Sequence, residues 1–562
     1  MASALPGKKI IAVLPAYHAV KTLTRTVEAI PKDWVDEIIL VDDASSDNTA
    51  GLARSLGITT VIHQKNTGYG GNQKTCYQEA MSRGADIVIM VHPDFQYDPS
   101  FIPQLVSPIA AGEADACFGS RMIMKGDALR GGMPWWKFVA NIGLTALENF
   151  ILGLGLTEYH SGFRAYSREV LSILPLQKNA DGFVFDSEII VQLGIAGFSI
   201  KEIPITTRYF KEASMIGFWK SVRYGFSILL LMEHYLLHRK GFYTDPRFVI
   251  SRHPCPVCAG KDTPLLYPRS TEFMGLAAYR ITENTVGAHD NIFLCHACGS
   301  AFSRSGHKPL SLVDYYTSQP CDPAYLAEEK GRRKSFRRII KRIETHITKG
   351  AILEVGSGPG FFLAEAKERG WKTSGIELSR QSADFARSRL GLDVKEGDAS
   401  LLSTFPDNTL DAVAALDVVE HLAEPLVFLK EVRRVLKPGG LFVWTTPRFD
   451  SWLRRILGRR WYAILPSHLV YFSRKGIIIA ARATGFTLKE SRSFTRYFSP
   501  AYVIFRLKGY ISGSNRSSKK SGPPLGARSD LETRREARPV GGLLIPLQLF
   551  DEFELYFEKP IK

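Results

Sequence analysis

The chain opens an α/β fold twice, and the two openings differ in chemistry. Residues Lys8–Thr49 read as strand, helix, strand and end in the acidic turn Val41-Asp42-Asp43-Ala44-Ser45. Far downstream, A-I-L-E-V-G-S-G-P-G at 351–360 begins a second strand, glycine loop and helix. Open parallel sheets bind ligands at the carboxyl ends of their strands. Each opening therefore predicts its own nucleotide-sized site. At 562 residues the chain exceeds what one core supports, and about three domains are expected.

Strand-length apolar segments at Lys9–Leu14, Glu37–Val41, Thr59–His63, Ile87–Val91 and Ala116–Gly119 alternate with helical patterns. That alternation predicts an α/β domain over 1–242 built on a largely parallel sheet. A second α/β series covers 325–562, with a polar stretch at 512–542 read as a mobile loop and a last strand at Glu554–Ile561. Between them, Cys255-Pro-Val-Cys258 and Cys295-His-Ala-Cys298 form two pairs of identical spacing within 250–302. Four thiolates suit a closed, structural tetrahedral Zn²⁺ site, a zinc ribbon. The plain alternative is two reduced pairs in loops. His253 and His296 stand beside the pairs, but four sulfurs complete a shell. The remaining cysteines, 76, 117 and 321, are scattered, so a disulfide framework is not expected.

In the first domain, Pro15-Ala16-Tyr17, Asp42-Asp43 and His92-Pro93-Asp94-Phe95-Gln96 each end a strand. Carboxylates there can hold a ribose or base, or a hard cation that bridges phosphates. Taken alone, an Asp-Asp at a strand end is as well a turn or helix cap. The ordered set adds N-T-G-Y-G-G-N at 66–72, G-S-R at 119–121 and S-G-F-R-A-Y at 161–166. With these, the domain resembles family 2 glycosyltransferases of the GT-A fold, near the dolichyl-phosphate-mannose synthases and polyprenyl-phosphate sugar transferases. The resemblance implies that Pro15, Tyr17, Asp42 and Asp43 contact the nucleoside. It implies that Asp94 and Gln96 bind metal and diphosphate, and that Arg121, Arg164 and Arg208 face phosphates. One departure stands out. The usual Asp-x-Asp begins here with His92, a poor Mg²⁺ ligand and an acceptable Mn²⁺ ligand. The expected cation is Mn²⁺ or Mg²⁺.

The second domain carries Glu354, Gly356, Gly358 and Gly360 in its glycine loop, and Glu377 at the end of the next strand. Asp398 follows a third strand, and Glu420-His421-Leu422 follows a fourth. Together these resemble class I S-adenosyl-L-methionine (SAM)-dependent methyltransferases, whose fold is Rossmann-like. The E-H-L turn and the glycine spacing both oppose a dinucleotide dehydrogenase. His421 and His468 are candidate general bases; alternatively they orient a turn and pack beneath a lid.

The net charge of +16 favours phosphorylated substrates and membrane surface over nucleic acid, because no interleaved basic and aromatic pattern is present. Ile216–Leu237 has only a short uncharged core. It reads as an interfacial helix or one packed on its own domain, not a spanning helix. No signal peptide is seen, and a cytoplasmic protein on the inner face of the membrane is expected. The reading is a bifunctional enzyme of glycan or glycolipid biosynthesis. It would transfer a sugar from a nucleotide-sugar donor to a polyprenyl-phosphate or glycan acceptor and methylate a pathway substrate. The alternative is a methyltransferase whose first domain only binds or delivers a glycolipid or nucleotide sugar.

Overall fold

The computed structural model describes residues 5, 7–124, 126–207, 217–240, 242–250, 252–270, 289–304, 323–504, 544–548 and 551–561. Contacts divide the chain into two units. One holds the residues up to Arg252 with Lys261–Leu265; the other holds His253–Gly260 and the chain from Leu266 onward. Arg208, Cys321 and the 512–542 stretch lie outside the described residues.

The first unit is built on a seven-stranded sheet: β1 Ile10–Ala16, β2 Glu37–Asp42, β3 Thr59–Ile62, β4 Ile87–Met90, β5 Ala116–Ser120, β6 Arg164–Ser167 and β7 Ile200–Pro204. Their order is β3-β2-β1-β4-β6-β5-β7. Both faces of β1 are buried, and its side chains divide by period 2. Ile11 and Val13 enter one core; Ile10, Ala12 and Leu14 enter the other. Strands β1–β4 are mutually parallel. The chain leaves β1 for β2 on one side and returns to β4 on the other. This is a topological switch point, where the carboxyl ends of β1 and β4 flank a crevice. The sheet is less parallel than the sequence suggests: β6, inside the 161–166 motif, runs antiparallel to both β4 and β5.

The second unit holds a seven-stranded sheet of order β13-β12-β11-β14-β15-β20-β17. Its strands are β11 Ala351–Val355, β12 Lys372–Glu377, β13 Val394–Glu396, β14 Leu410–Leu416, β15 Leu436–Pro447, β17 Thr487–Ser493 and β20 Glu552–Glu558. Strand β20 inserts antiparallel between β15 and β17, so the tail completes the sheet. The basic helix Glu329–His346 packs its apolar face, Phe336, Ile339, Ile340 and Ile343, into this core. Several of its arginines pair with carboxylates of the same unit: Arg333 and Arg337 with Glu365, and Arg342 with Glu490. Much of the charge run thus anchors the helix.

A small sheet holds β8 Leu265–Tyr267, β9 Asn291–Leu294, β10 Ala301–Arg304 and β16 Val470–Tyr471. Strand β10 leaves the cysteine segment and pairs antiparallel with β16. Ser473 donates from its hydroxyl to the Cys298 carbonyl at 2.6 Å. The cysteine segment is thereby hydrogen-bonded into its unit.

Candidate functional site

At the first crevice, Tyr17 leaves β1 with 55% of its surface exposed, a platform on which a base can stack. Asp42 ends β2 and is pinned by Ser45, whose hydroxyl and N–H donate to its carboxylate at 2.5 and 3.2 Å. Asp43 turns inward. It accepts from the Thr67 N–H and hydroxyl, both at 2.8 Å, and from the Gly68 N–H at 3.0 Å. His63 Nδ1 lies 2.8 Å from it. Asp43, expected at the nucleoside, thus has its carboxylate engaged by the 66–68 turn. The glycines of that turn serve packing. Gly70 donates to the Asp181 carbonyl at 2.7 Å, and a Cβ there would come within 2.4 Å of the Ala180 oxygen. Asn72 donates to the Val41 and Ala16 carbonyls, tying the ends of β2 and β1 together.

After β4, Asp94 accepts from the Gln96 N–H at 3.0 Å. Phe95 between them adopts a φ of 56° under the Arg25 guanidinium, 4.1 Å from its ring centre. His92 stacks on Tyr69 with ring centres 5.7 Å apart, and its Nε2 is 3.3 Å from the Tyr69 hydroxyl. The same hydroxyl donates to Asp186 at 2.7 Å. With that proton committed to Asp186, a neutral His92 would donate from Nε2–H to Tyr69 and keep its lone pair on Nδ1. Only glycine fits at 162, where a Cβ would lie 2.5 Å from His92 Nε2.

The arginines are placed differently from the expectation. Arg164 is 2% exposed, and its guanidinium donates to the carbonyls of Ser161, Asp186 and Tyr159 at 2.6–2.9 Å. A buried charge needs such partners, so Arg164 locks β6 to its neighbours instead of meeting a phosphate. Arg121 is paired with Glu158 and also donates to the His160 carbonyl at 2.9 Å. Burial alone would raise the Glu158 carboxyl, yet Arg121 holds it below the usual range.

In the second unit the four cysteine sulfurs lie within 4.8 Å of one another. Cys255 and Cys298 are 3.7 Å apart, and Cys258 and Cys295 are 3.5 Å apart. A tetrahedral Zn²⁺ with Zn–S near 2.3 Å needs sulfurs about 3.8 Å apart, so the set fits. The two turns share one backbone pattern. The Cys255 and Cys295 carbonyls accept from the Ala259 and Gly299 N–H, and both acceptor turns end at positive φ, 57° and 74°.

The glycine loop after β11 fits a nucleoside-bearing cofactor. Gly356, Gly358 and Gly360 all have positive φ. A Cβ at Gly358 would meet nothing within 4 Å, so open space lies beside it. A Glu354 carboxylate oxygen and the Ser357 hydroxyl are buried without hydrogen bonds. Burial, then Glu377, pushes the Glu354 carboxyl up. Glu377 accepts from the Gly358 N–H at 2.6 Å and the Ser379 N–H at 2.8 Å, leaving lone pairs for ribose hydroxyls. Asp398 is exposed and caps the turn at Ala399–Thr404 through Ser400.

Beyond β14, His421 and His468 meet with ring centres 4.8 Å apart. Burial, then His421, pulls the His468 imidazole down to about 3; burial lowers His421 as well. Burial thus makes both imidazoles weaker bases than a free one, His468 the more so. Asp417 is held near 2 against its burial by Arg496, which also pairs with Glu552 of β20.

The sequence motifs included Tyr69 and Glu420 but gave neither a role of its own, and Asp186 was overlooked. Asp186 carried a usable signal. It sits in helix Phe185–Ala196, which is buried nearly all round, and a polar residue there requires a partner.

The family model for Glycosyl transferase family 2 matches residues 11–174, and a Methyltransferase domain model matches 353–444. An uncharacterized protein of Methanocaldococcus jannaschii is 30% identical over 227 residues, 40% of this chain and 92% of the relative. The UDP-N-acetylglucosamine–dolichyl-phosphate N-acetylglucosaminyltransferase of Methanococcus voltae is 29% identical over 40% of this chain and 94% of its own. The polyprenol monophosphomannose synthase of Mycolicibacterium smegmatis is 28% identical over 36% and 79%. With the crevice at the β1/β4 switch point, these matches make the chain a member of glycosyl transferase family 2, and its glycine loop after β11 lies in a segment that matches a methyltransferase domain.

Proposed function

We propose that the first unit transfers a sugar from a nucleoside-diphosphate donor to a polyprenyl phosphate. The methyltransferase would then modify a substrate of the same glycan pathway. The observation that carries the first half is the likeness to two transferases named for dolichyl-phosphate and polyprenol acceptors. In this reading Tyr17 and Asp42 take the nucleoside. Asp94, with the His92 Nδ1 lone pair and Gln96, holds Mn²⁺ or Mg²⁺ on the diphosphate. The acceptor phosphate is already anionic, so charge compensation matters more than a strong base. The direct test is turnover of a panel of UDP- and GDP-sugars by the full chain with polyprenyl phosphate in detergent. Failure of every donor to react or bind would leave the carrier reading in its place.

A polyprenyl acceptor lies in a bilayer, so the unit must reach one. Among the described residues no helix is long and apolar enough to cross a membrane. Helix Phe218–Arg239 instead exposes Trp219, Phe226, Leu229 and Leu230, and helix Trp135–Leu152 exposes Trp135 and Phe150. Lys220, Arg223 and Lys240 stand near the first set. Apolar anchors beside cations suit an anionic lipid surface. The expected result is co-sedimentation with phosphatidylglycerol vesicles. The pair Trp219→Glu and Phe226→Glu should weaken it at least about tenfold, since each buried aromatic contributes roughly 1.5–3 kcal/mol. Unchanged sedimentation of the double variant would remove this surface from the proposal.

For the methyltransferase, the proposed cofactor set is Glu354, the glycine loop and Glu377 around SAM, with Zn²⁺ in the cysteine cluster as a structural ion. Gly358→Val tests the loop. The open space beside Gly358 would take the isopropyl group without a clash, while the positive φ costs about 1–2 kcal/mol of strain. The space for a ligand would be filled. Calorimetry should then show S-adenosylhomocysteine binding weakened roughly ten- to a hundredfold, about 1.4–2.7 kcal/mol. Tight binding of NADH with none of S-adenosylhomocysteine would defeat the assignment.

A further inference from the structure

Three groups converge just beyond the methyl-donor loop. Glu420, His421 and His468 each place one ligand-type atom within 4.8 Å of the others. The Glu420 side chain is 1% exposed; its oxygens lack a close hydrogen bond, and the Thr446 side chain is the one hydrogen-bonding side chain that acts on its carboxyl. His468 is 7% exposed, and its Nδ1 also lacks a close hydrogen bond. Native interiors rarely leave such groups unpaired. The imidazoles are oriented as metal ligands usually are. His421 donates from Nδ1–H to the Ser467 carbonyl at 2.9 Å, which presents Nε2, and such an outer bond fixes a ligand's tautomer. The backbone is fixed at both ends: the Leu469 N–H donates to the Glu420 carbonyl at 2.8 Å, tying the two ligand segments together.

We propose that Glu420, His421 and His468 bind one divalent cation, whose open positions take two neighbouring hydroxyl oxygens of the methyl acceptor, as a sugar diol would present. Two imidazoles and a carboxylate suit Mn²⁺, Fe²⁺, Co²⁺ or Zn²⁺ better than Mg²⁺. Three protein ligands leave room for substrate oxygens. The cluster adjoins the donor site: a Cβ at Gly356 would come within 2.5 Å of Val418 Cγ2, two residues before Glu420. This rests on the methyltransferase reading and adds to it the chemistry that selects the acceptor.

The test uses the full chain carrying Asp94→Asn, without nucleotide, so that the first unit contributes no cation site. Titration with Mn²⁺ followed by electron paramagnetic resonance should show one ion bound per chain. Electron spin echo modulation should show coupling to imidazole nitrogen. Glu420→Gln should bind Mn²⁺ at least about a hundredfold more weakly, as loss of a charged first ligand exceeds the 10–100-fold of an outer partner. It should still bind S-adenosylhomocysteine, because the amide keeps the shape of the carboxyl group. His468→Leu should weaken Mn²⁺ likewise. Absence of Mn²⁺ binding at millimolar ion, absence of nitrogen coupling, or unchanged binding in Glu420→Gln would each overturn the inference. The calorimetric measurement with S-adenosylhomocysteine reads the methyltransferase assignment separately.

Discussion

Cys255→Ser is expected to lower the zinc content from about one ion per chain to a small fraction and to unfold the cysteine segment. A structural zinc site contributes roughly 10–16 kcal/mol of apparent folding energy in isolated zinc-finger peptides, as much as the whole stability of an ordinary domain, about 5–15 kcal/mol. Here the segment is not isolated. β10 pairs with β16, and the Ser473 hydroxyl holds the Cys298 carbonyl. Loss of the ion should therefore spread into the methyltransferase unit as a lowered Tm. Limited proteolysis should open the chain between residues 253 and 304 first. Cys117 supplies the control: it is buried in the first unit, within β5. Cys117→Ser should leave the zinc content unchanged. Full metal retention and an unaltered Tm in Cys255→Ser would refute a structural zinc site.

The elements that were legible in the sequence are those with one dominant physical signal. The expected strands of the first unit, from Lys9–Leu14 to Ala116–Gly119, fall within a residue or two of β1–β5, because buried parallel strands are unbroken apolar runs. The tail strand, expected at Glu554–Ile561, lies at Glu552–Glu558; although antiparallel to both neighbours, it is buried and so also reads as an apolar run. Strand β6 was not. Its core position is Arg164, which no hydropathy pattern would bury, and its burial depends on three carbonyls brought from elsewhere in the fold. The same gap explains Asp43 and Arg121. A motif shows that a charge is required at a position. Only the fold tells whether that charge meets a ligand or its own backbone. Glu420 was quoted in the E-H-L turn, but its neighbour His468 is separated from it in sequence by β15 and the chain that follows. Proximity of that kind is a property of topology.

Asp94→Asn is the change expected to cost the first unit most. The nearby carboxylates are already engaged: Asp43 folds its turn, and Asp186 accepts from Tyr69. Asp94 would then supply the negative charge that holds the cation on the diphosphate. Replacing it with an amide keeps the shape and the Gln96 hydrogen bond but removes that charge. Losing one preorganised electrostatic contact in a dry site commonly costs roughly 10²–10³ in rate, about 2.7–4 kcal/mol. Donor turnover should fall by that factor. His92→Asp makes the opposite test. It restores the usual Asp-x-Asp and should shift preference from Mn²⁺ toward Mg²⁺, because a hard oxygen replaces nitrogen. It also removes the ring stacked on Tyr69, so some loss of kcat is expected alongside the altered metal dependence. The discriminating quantity is thus the Mn²⁺/Mg²⁺ activity ratio and not the absolute rate. If Asp94→Asn turns over a donor as fast as the parent, the cation lies elsewhere. If His92→Asp leaves the ratio unchanged, His92 belongs to the Tyr69–Asp186 network alone and does not touch the metal.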